Sequence, residues 1–142
     1  LESSHQLKMF TVQEANELIP QLKELIEKLK CKRDELSALE MEVDVLELLT
    51  DSQPGGVPSP QVESKLAEYE KAVNEFYGLI EAIHSTGCFL KDIENGLVDF
   101  YTVYKGRVVY LCWSLEEPEV TSWHDIGRGY QSRQPLEPEM DF

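Results

Sequence analysis

The chain has 142 residues, 42% hydrophobic and 28% charged, enough for one folded domain with a sizeable core. Its 13 Lys and Arg face 27 Asp and Glu, a net charge of −14 that disfavours nucleic-acid backbones and anionic membrane surfaces alike. No apolar run nears the ~20 residues of a membrane span, and three scattered cysteines, Cys31, Cys88 and Cys112, read as reduced thiols of a cytoplasmic protein.

Leu1 to Lys8 are polar, with no signal-peptide pattern, and are expected to be an added or disordered leader ahead of Met9. The first predicted helix opens at Thr11-Val12-Gln13-Glu14, a capping box, and runs from about 12 to 50. Its apolar seam alternates steps of four and three: Leu18, Leu22, Leu25, Leu29, then Leu36, Leu39, Val43 and Leu46. Such a period of 3.5 calls for a second helix alongside. Lys32 breaks the seam, and Pro20 is expected to kink the first turns.

Three prolines and two glycines make 51–60 a loop. The second helix, about 61 to 86, repeats the period with Val62, Leu66, Tyr69, Val73, Phe76, Ile80 and Ile83, and ends near His84 and Gly87. Two such helices across a short loop predict an antiparallel, coiled-coil-like hairpin, about 58 Å and 39 Å long. Matching them at the loop sets Ile83 near Leu25 and Leu29 and leaves residues 12–22 to touch the C-terminal segment. Apolar positions beyond the seam (Ile19, Ile26, Leu48, Ala72, Tyr77, Leu79) predict a homodimer through the hairpin.

Residues 87–136 read as a small antiparallel sheet followed by a loose wrap, with 137–142 as a tail. The predicted fold is therefore α+β. Asn95-Gly96 and Lys105-Gly106 are turn signals, and treating both as two-residue turns fixes the pairing. Across Lys105-Gly106, Tyr104 faces Arg107, Tyr101 faces Tyr110, Phe100 faces Leu111, Asp99 faces Cys112 and Val98 faces Trp113. Across Asn95-Gly96, Asp92 faces Asp99 and Leu90 faces Tyr101. A further strand is expected near 120–124.

No P-loop, dinucleotide-binding glycine pattern, Gly-x-Ser-x-Gly, paired CxxC or HExxH occurs. The candidate chemistry is the acidic pair: facing Asp92 and Asp99 need a shared proton, an arginine or a divalent metal, unless the first hairpin is shifted or open to solvent. Glu117 and His124 are further metal candidates, and Cys112 taken alone reads better as a small buried apolar residue than as a nucleophile or ligand. Arg107, Arg128 and Arg133 could bind a small anion or an acidic partner, or simply pair with Asp92, Asp99 and Glu117. Trp113 and Trp123 belong to the core or to an interface.

Lys91-Asp92, Gly96-Leu97-Val98-Asp99-Phe100, Gly106-Arg107, Leu111-Cys112-Trp113, Glu117-Pro118, Trp123-His124 and Gly129 to Arg133 together carry a resemblance spanning Met9 to Leu136. The chain resembles the prokaryotic domain-of-unknown-function family numbered 2203. It departs from that pattern at Tyr101, where proline is usual, and at Glu116 and Ser132, where glycine is usual. The resemblance implies a soluble, cytoplasmic α+β domain and no particular activity.

Two functions follow from the sequence. The preferred one is a non-enzymatic interaction module, self-associating through the hairpin and open to a protein partner. The alternative is a small-molecule or metal site on the sheet, built around Asp92, Asp99 and His124 with Cys112 and Glu117, and with Arg107, Arg128 or Arg133 contacting an anionic ligand.

Overall fold

The computed structural model describes residues 8–49 and 58–142. The expected leader, up to residue 7, and loop residues 51–57 lie outside the described residues. Helix α1 spans Val12–Leu49 and helix α2 spans Pro60–His84. The strands are β1 (Phe89–Asp92), β2 (Leu97–Tyr104), β3 (Arg107–Trp113), β4 (Ser122–Asp125) and β5 (Gln134–Pro135). Neighbours in sequence are neighbours in one antiparallel sheet. The α+β class and the helical hairpin are as expected.

The ends of the helices carry their own signals. Thr11 Oγ1 accepts from the Glu14 N–H and the Glu14 carboxylate accepts from the Thr11 N–H, at 3.0 and 2.9 Å, which completes the capping box. Pro20 lies inside α1, which continues through it. Ser59 caps α2 through the Val62 N–H, with Pro60 in the first turn. Gly87, at φ 103°, turns the chain out of α2, and its N–H bonds the His84 carbonyl.

Lys32, the break in the seam, has a clear role. Its ammonium bridges Glu75 on α2 at 2.7 Å and Glu35 on its own helix at 3.0 Å, while Lys65 of α2 reaches back to Glu42 at 2.9 Å. Both cross-helix pairs obey one antiparallel register, which sets Ile83 alongside the Leu25 turn.

The main core lies between the helices and one face of the sheet. Ile19, Leu22, Ile26, Leu29 and Ile83 pack with Val98, Phe100, Val109, Leu111, Trp113 and Trp123. The expected contact between the start of α1 and the sheet is present. The Phe10 N–H donates to the Tyr101 carbonyl, and Asn16 Oδ1 accepts from the Val120 N–H, both at 2.7 Å. Four residues assigned to a dimer face are used within the monomer: Ile19, Ile26 and Ala72 are 4%, 0% and 2% exposed, and Leu79 packs against the core. Their burial leaves the dimer argument only Tyr77 and Leu48 of its original set.

Two further expectations need correction. The hairpin at Asn95-Gly96 is not a two-residue turn, and Asp92 does not face Asp99. Four residues, Ile93 to Gly96, form the turn, and a bulge between Leu90 and Asp92 shifts the register so that Phe89 opposes Asp99, Leu90 opposes Val98 and Asp92 opposes Leu97. The cause is local: Asp92 folds its carboxylate over the turn, accepting from the Glu94 N–H at 3.0 Å and Asn95 Nδ2 at 2.7 Å. The segment after Gly127 is also more than a loose wrap. It forms a 3-10 turn at Tyr130–Ser132 and strand β5, and Phe142 stacks on Tyr104 with ring centroids 4.8 Å apart.

Candidate metal site on the outer face of the sheet

Strand alternation divides the sheet residues cleanly. Val98, Phe100, Leu111, Trp113 and Trp123 point to the helices. Asp99, Cys112 and His124 point the other way. Trp113 and Trp123 are thus core residues, 0% and 4% exposed, and take no part in a site on the outer face.

The β2–β3 pairing around Lys105-Gly106 is as counted from the sequence, with Asp99 opposite Cys112. Lys105 and Gly106 both take positive φ, 52° and 78°, as a two-residue turn of this kind requires. The β3–β4 pairing then sets Tyr110 opposite His124 and Cys112 opposite Ser122. This brings His124 diagonally beside Cys112 and within reach of Asp99. The three groups lie within 4.8 Å of one another, counting one ligand atom from each, and all three are buried.

The hydrogen bonds of His124 determine what can occupy this point. Nδ1 lies 3.0 Å from the Asp125 carbonyl, which can only accept, so Nδ1 carries a proton. Nε2 lies 3.2 Å from both oxygens of Asp99. A neutral ring with its proton on Nδ1 would set a bare lone pair against a carboxylate. A proton, carried by the ring or by the Asp99 carboxyl, or a metal ion must therefore stand between them.

The surroundings are aromatic and cationic. Phe89, Tyr101, Tyr110 and His124 form a continuous ladder of ring contacts across the outer face, with successive centroids 5.1, 5.0 and 5.2 Å apart. Lys91 Nζ lies over the Tyr110 ring at 5.0 Å. Burial pushes the Asp99 carboxyl up, against the opposing pull of His124 and Lys91. Burial, and next the Asp99 charge, push the Cys112 thiol up to about 12, so it is no ready nucleophile. Burial and the neighbouring Tyr101 hydroxyl likewise push Tyr110 up to about 12.

The other sequence candidates are placed elsewhere. Glu117 pairs with Arg133 at 2.8 Å and accepts from the Ser114 N–H at 3.0 Å, clamping the β3–β4 loop to the C-terminal segment. Arg107 pairs with Asp125. Arg128 is exposed beyond β4. Arg133 is the arginine that reaches the site, since its guanidinium acts on the Cys112 thiol and draws its pKa down, and its Nη1 is buried with no hydrogen-bond partner. Lys91 was missed as a site residue; Cys112 was among the residues of the expected site, and its pairing opposite Asp99 was the signal for it. His84 is more than a helix-end charge, because its Nε2 accepts from the Leu90 N–H at 3.2 Å and ties α2 to β1.

None of the described helices is long and apolar enough to cross a membrane. Neither curated proteins nor solved structures give a match. A family model does, over residues 8–136, and the chain belongs to that family, described as "Uncharacterized conserved protein (DUF2203)".

Proposed function

We propose that this protein is a metal-binding domain whose ion is held by Asp99, Cys112 and His124. The observation that carries the reading is the His124 ring, whose Nδ1 proton is committed to the Asp125 carbonyl while Nε2 faces both Asp99 oxygens. A histidine whose second nitrogen donates to a backbone carbonyl is the usual arrangement of a metal ligand. Arg133 supports it: its guanidinium acts on the Cys112 thiol in the direction that favours an anionic, metal-bound sulfur.

The donor set selects the ion. A thiolate with imidazole and carboxylate suits zinc and its neighbours, and argues against magnesium or calcium, which take oxygen ligands. Ligands of a tetrahedral zinc lie about 3.3–3.8 Å apart at its usual bond lengths, so the widest gap in the triad must close by about 1 Å. Side-chain rotation supplies that. Three protein ligands leave one position for water or a small molecule, as in reactive rather than purely structural zinc sites. Three free cysteines fit a reducing, cytoplasmic compartment for such a protein.

The test is elemental analysis of zinc-reconstituted, dialysed protein. About one equivalent of zinc is expected in the parent chain, and none in Asp99→Asn or His124→Gln. A parent chain that retains no zinc, and whose melting temperature zinc does not raise, contradicts the reading.

A second reading, self-association through the hairpin, rests on a different observation. Met41, Val45 and Leu48 form a stripe on α1 and are 67%, 45% and 85% exposed. Because the stripe recurs at helical spacing on one face, a second copy can meet it by two-fold symmetry. Light scattering should give a dimer that Val45→Glu with Leu48→Glu converts to monomer. A monomeric mass for the parent chain would sink this reading.

A further inference from the structure

The outer face of the sheet continues past Asp99 and Cys112 into a cleft of about 610 Å3. The junction follows from the strands. Leu97 lies two residues before Asp99 on β2 and Ser114 two residues beyond Cys112, so both share the face of the triad, about 6.6 Å along it. The β2–β3 register, extended by one pair, sets Leu97 opposite Ser114. Both residues line the cleft.

Its walls are fixed to one another. The Leu115 N–H donates to the Asn95 carbonyl at 3.3 Å, joining the β1–β2 turn to the β3–β4 loop. Gly96 permits that approach, since a Cβ there would stand 2.6 Å from Leu115 Cβ. The Glu117–Arg133 ion pair joins the same loop to the third wall, the Gly129–Ser132 segment. A volume of this size, held from three sides, is that of a preformed small-molecule site.

The lining then selects the ligand. Among the described residues no lysine or arginine lines the cleft, whereas Asp92 and Glu116 both do. Asn95, Ser114 and Gln131 offer groups that both donate and accept, and Tyr130 offers a ring. Each Asp92 oxygen already accepts one hydrogen bond within the turn and retains a second lone pair.

We propose that this cleft binds a small polar molecule bearing an ammonium group, which Asp92 and Glu116 hold while its other end extends over Leu97 and Ser114 toward Asp99, Cys112 and His124. The far end rests on the metal reading of that triad; the ammonium site does not. The experiment uses three probes that differ in one terminus: ethanolamine, ethylene glycol and glycolate. Ligand-observed NMR on the full chain, with zinc and after chelation, reads their binding.

Ethanolamine should bind in preference to both others. Gln131→Trp, which fills the cleft from an exposed position, should abolish the signal, and Glu116→Gln should weaken it about tenfold. In the chelated protein, glycolate binding as well as ethanolamine overturns the proposal. So does a complete lack of ethanolamine binding, or binding that survives Gln131→Trp. Zinc retention without ethanolamine binding defeats the cleft alone. Ethanolamine binding without zinc retention supports the cleft and defeats the metal reading alone.

Discussion

Nδ1 of His124 meets a carbonyl and Nε2 meets a carboxylate, so one side chain fixes the chemistry of the outer face. Without a metal, a proton held between His124 Nε2 and the Asp99 carboxyl would link the pair, and Asp99→Asn should then cost about 1–3 kcal/mol, because a buried partner is left poorly matched. Urea unfolding of the chelated protein measures this, and an unchanged midpoint would contradict the assigned hydrogen bond. Gly96→Ala should be as damaging for a different reason: positive φ of 60° combines with a Cβ placed against Leu115. A melting curve indistinguishable from the parent would show that this turn is looser than described. At this scale the sequence was half legible. Asp99 and Cys112 could be set opposite each other because Lys105-Gly106 is a true two-residue turn. Asp92 could not be placed, because its side chain remakes the turn that the Asn95-Gly96 pair suggested. His124 could not be aligned either: the chain between Trp113 and Ser122 has no turn signal from which to count a register.

Among the elements, the two helices were the most legible, since a seam with a 3.5 period and a capping box are written directly in residue type. What periodicity could not tell was which flanking apolar positions belong to the monomer. Ile19 and Ile26 look like surplus beside the seam, yet the sheet covers them, so they read as an interface only while the third layer is unknown. Ile26→Ala should therefore cost about 2–5 kcal/mol in the monomer, as a fully buried truncation does. Leu48→Ala, at an exposed position, should leave stability within about 0.5 kcal/mol. Chemical denaturation of the pair decides it, and equal effects would mean that α1 is packed the other way round. Thr11→Ala should cost about 1 kcal/mol through the lost cap.

Taken whole, the molecule separates its tasks between the two faces of one sheet. The inner face, packed on the hairpin, supplies stability; the outer face carries buried polar groups that an apolar core would have no reason to hold. That separation means the proposed metal ligands can be altered while the helical core persists. Cobalt substitution tests the central claim most directly, because a thiolate bound to cobalt(II) gives a charge-transfer absorption in the near ultraviolet that carboxylate and imidazole ligands do not. The account predicts that band in the cobalt-loaded parent chain, its loss in Cys112→Ser and its retention in Cys31→Ser. A cobalt-treated protein without the band, or a band that persists in Cys112→Ser, would contradict it.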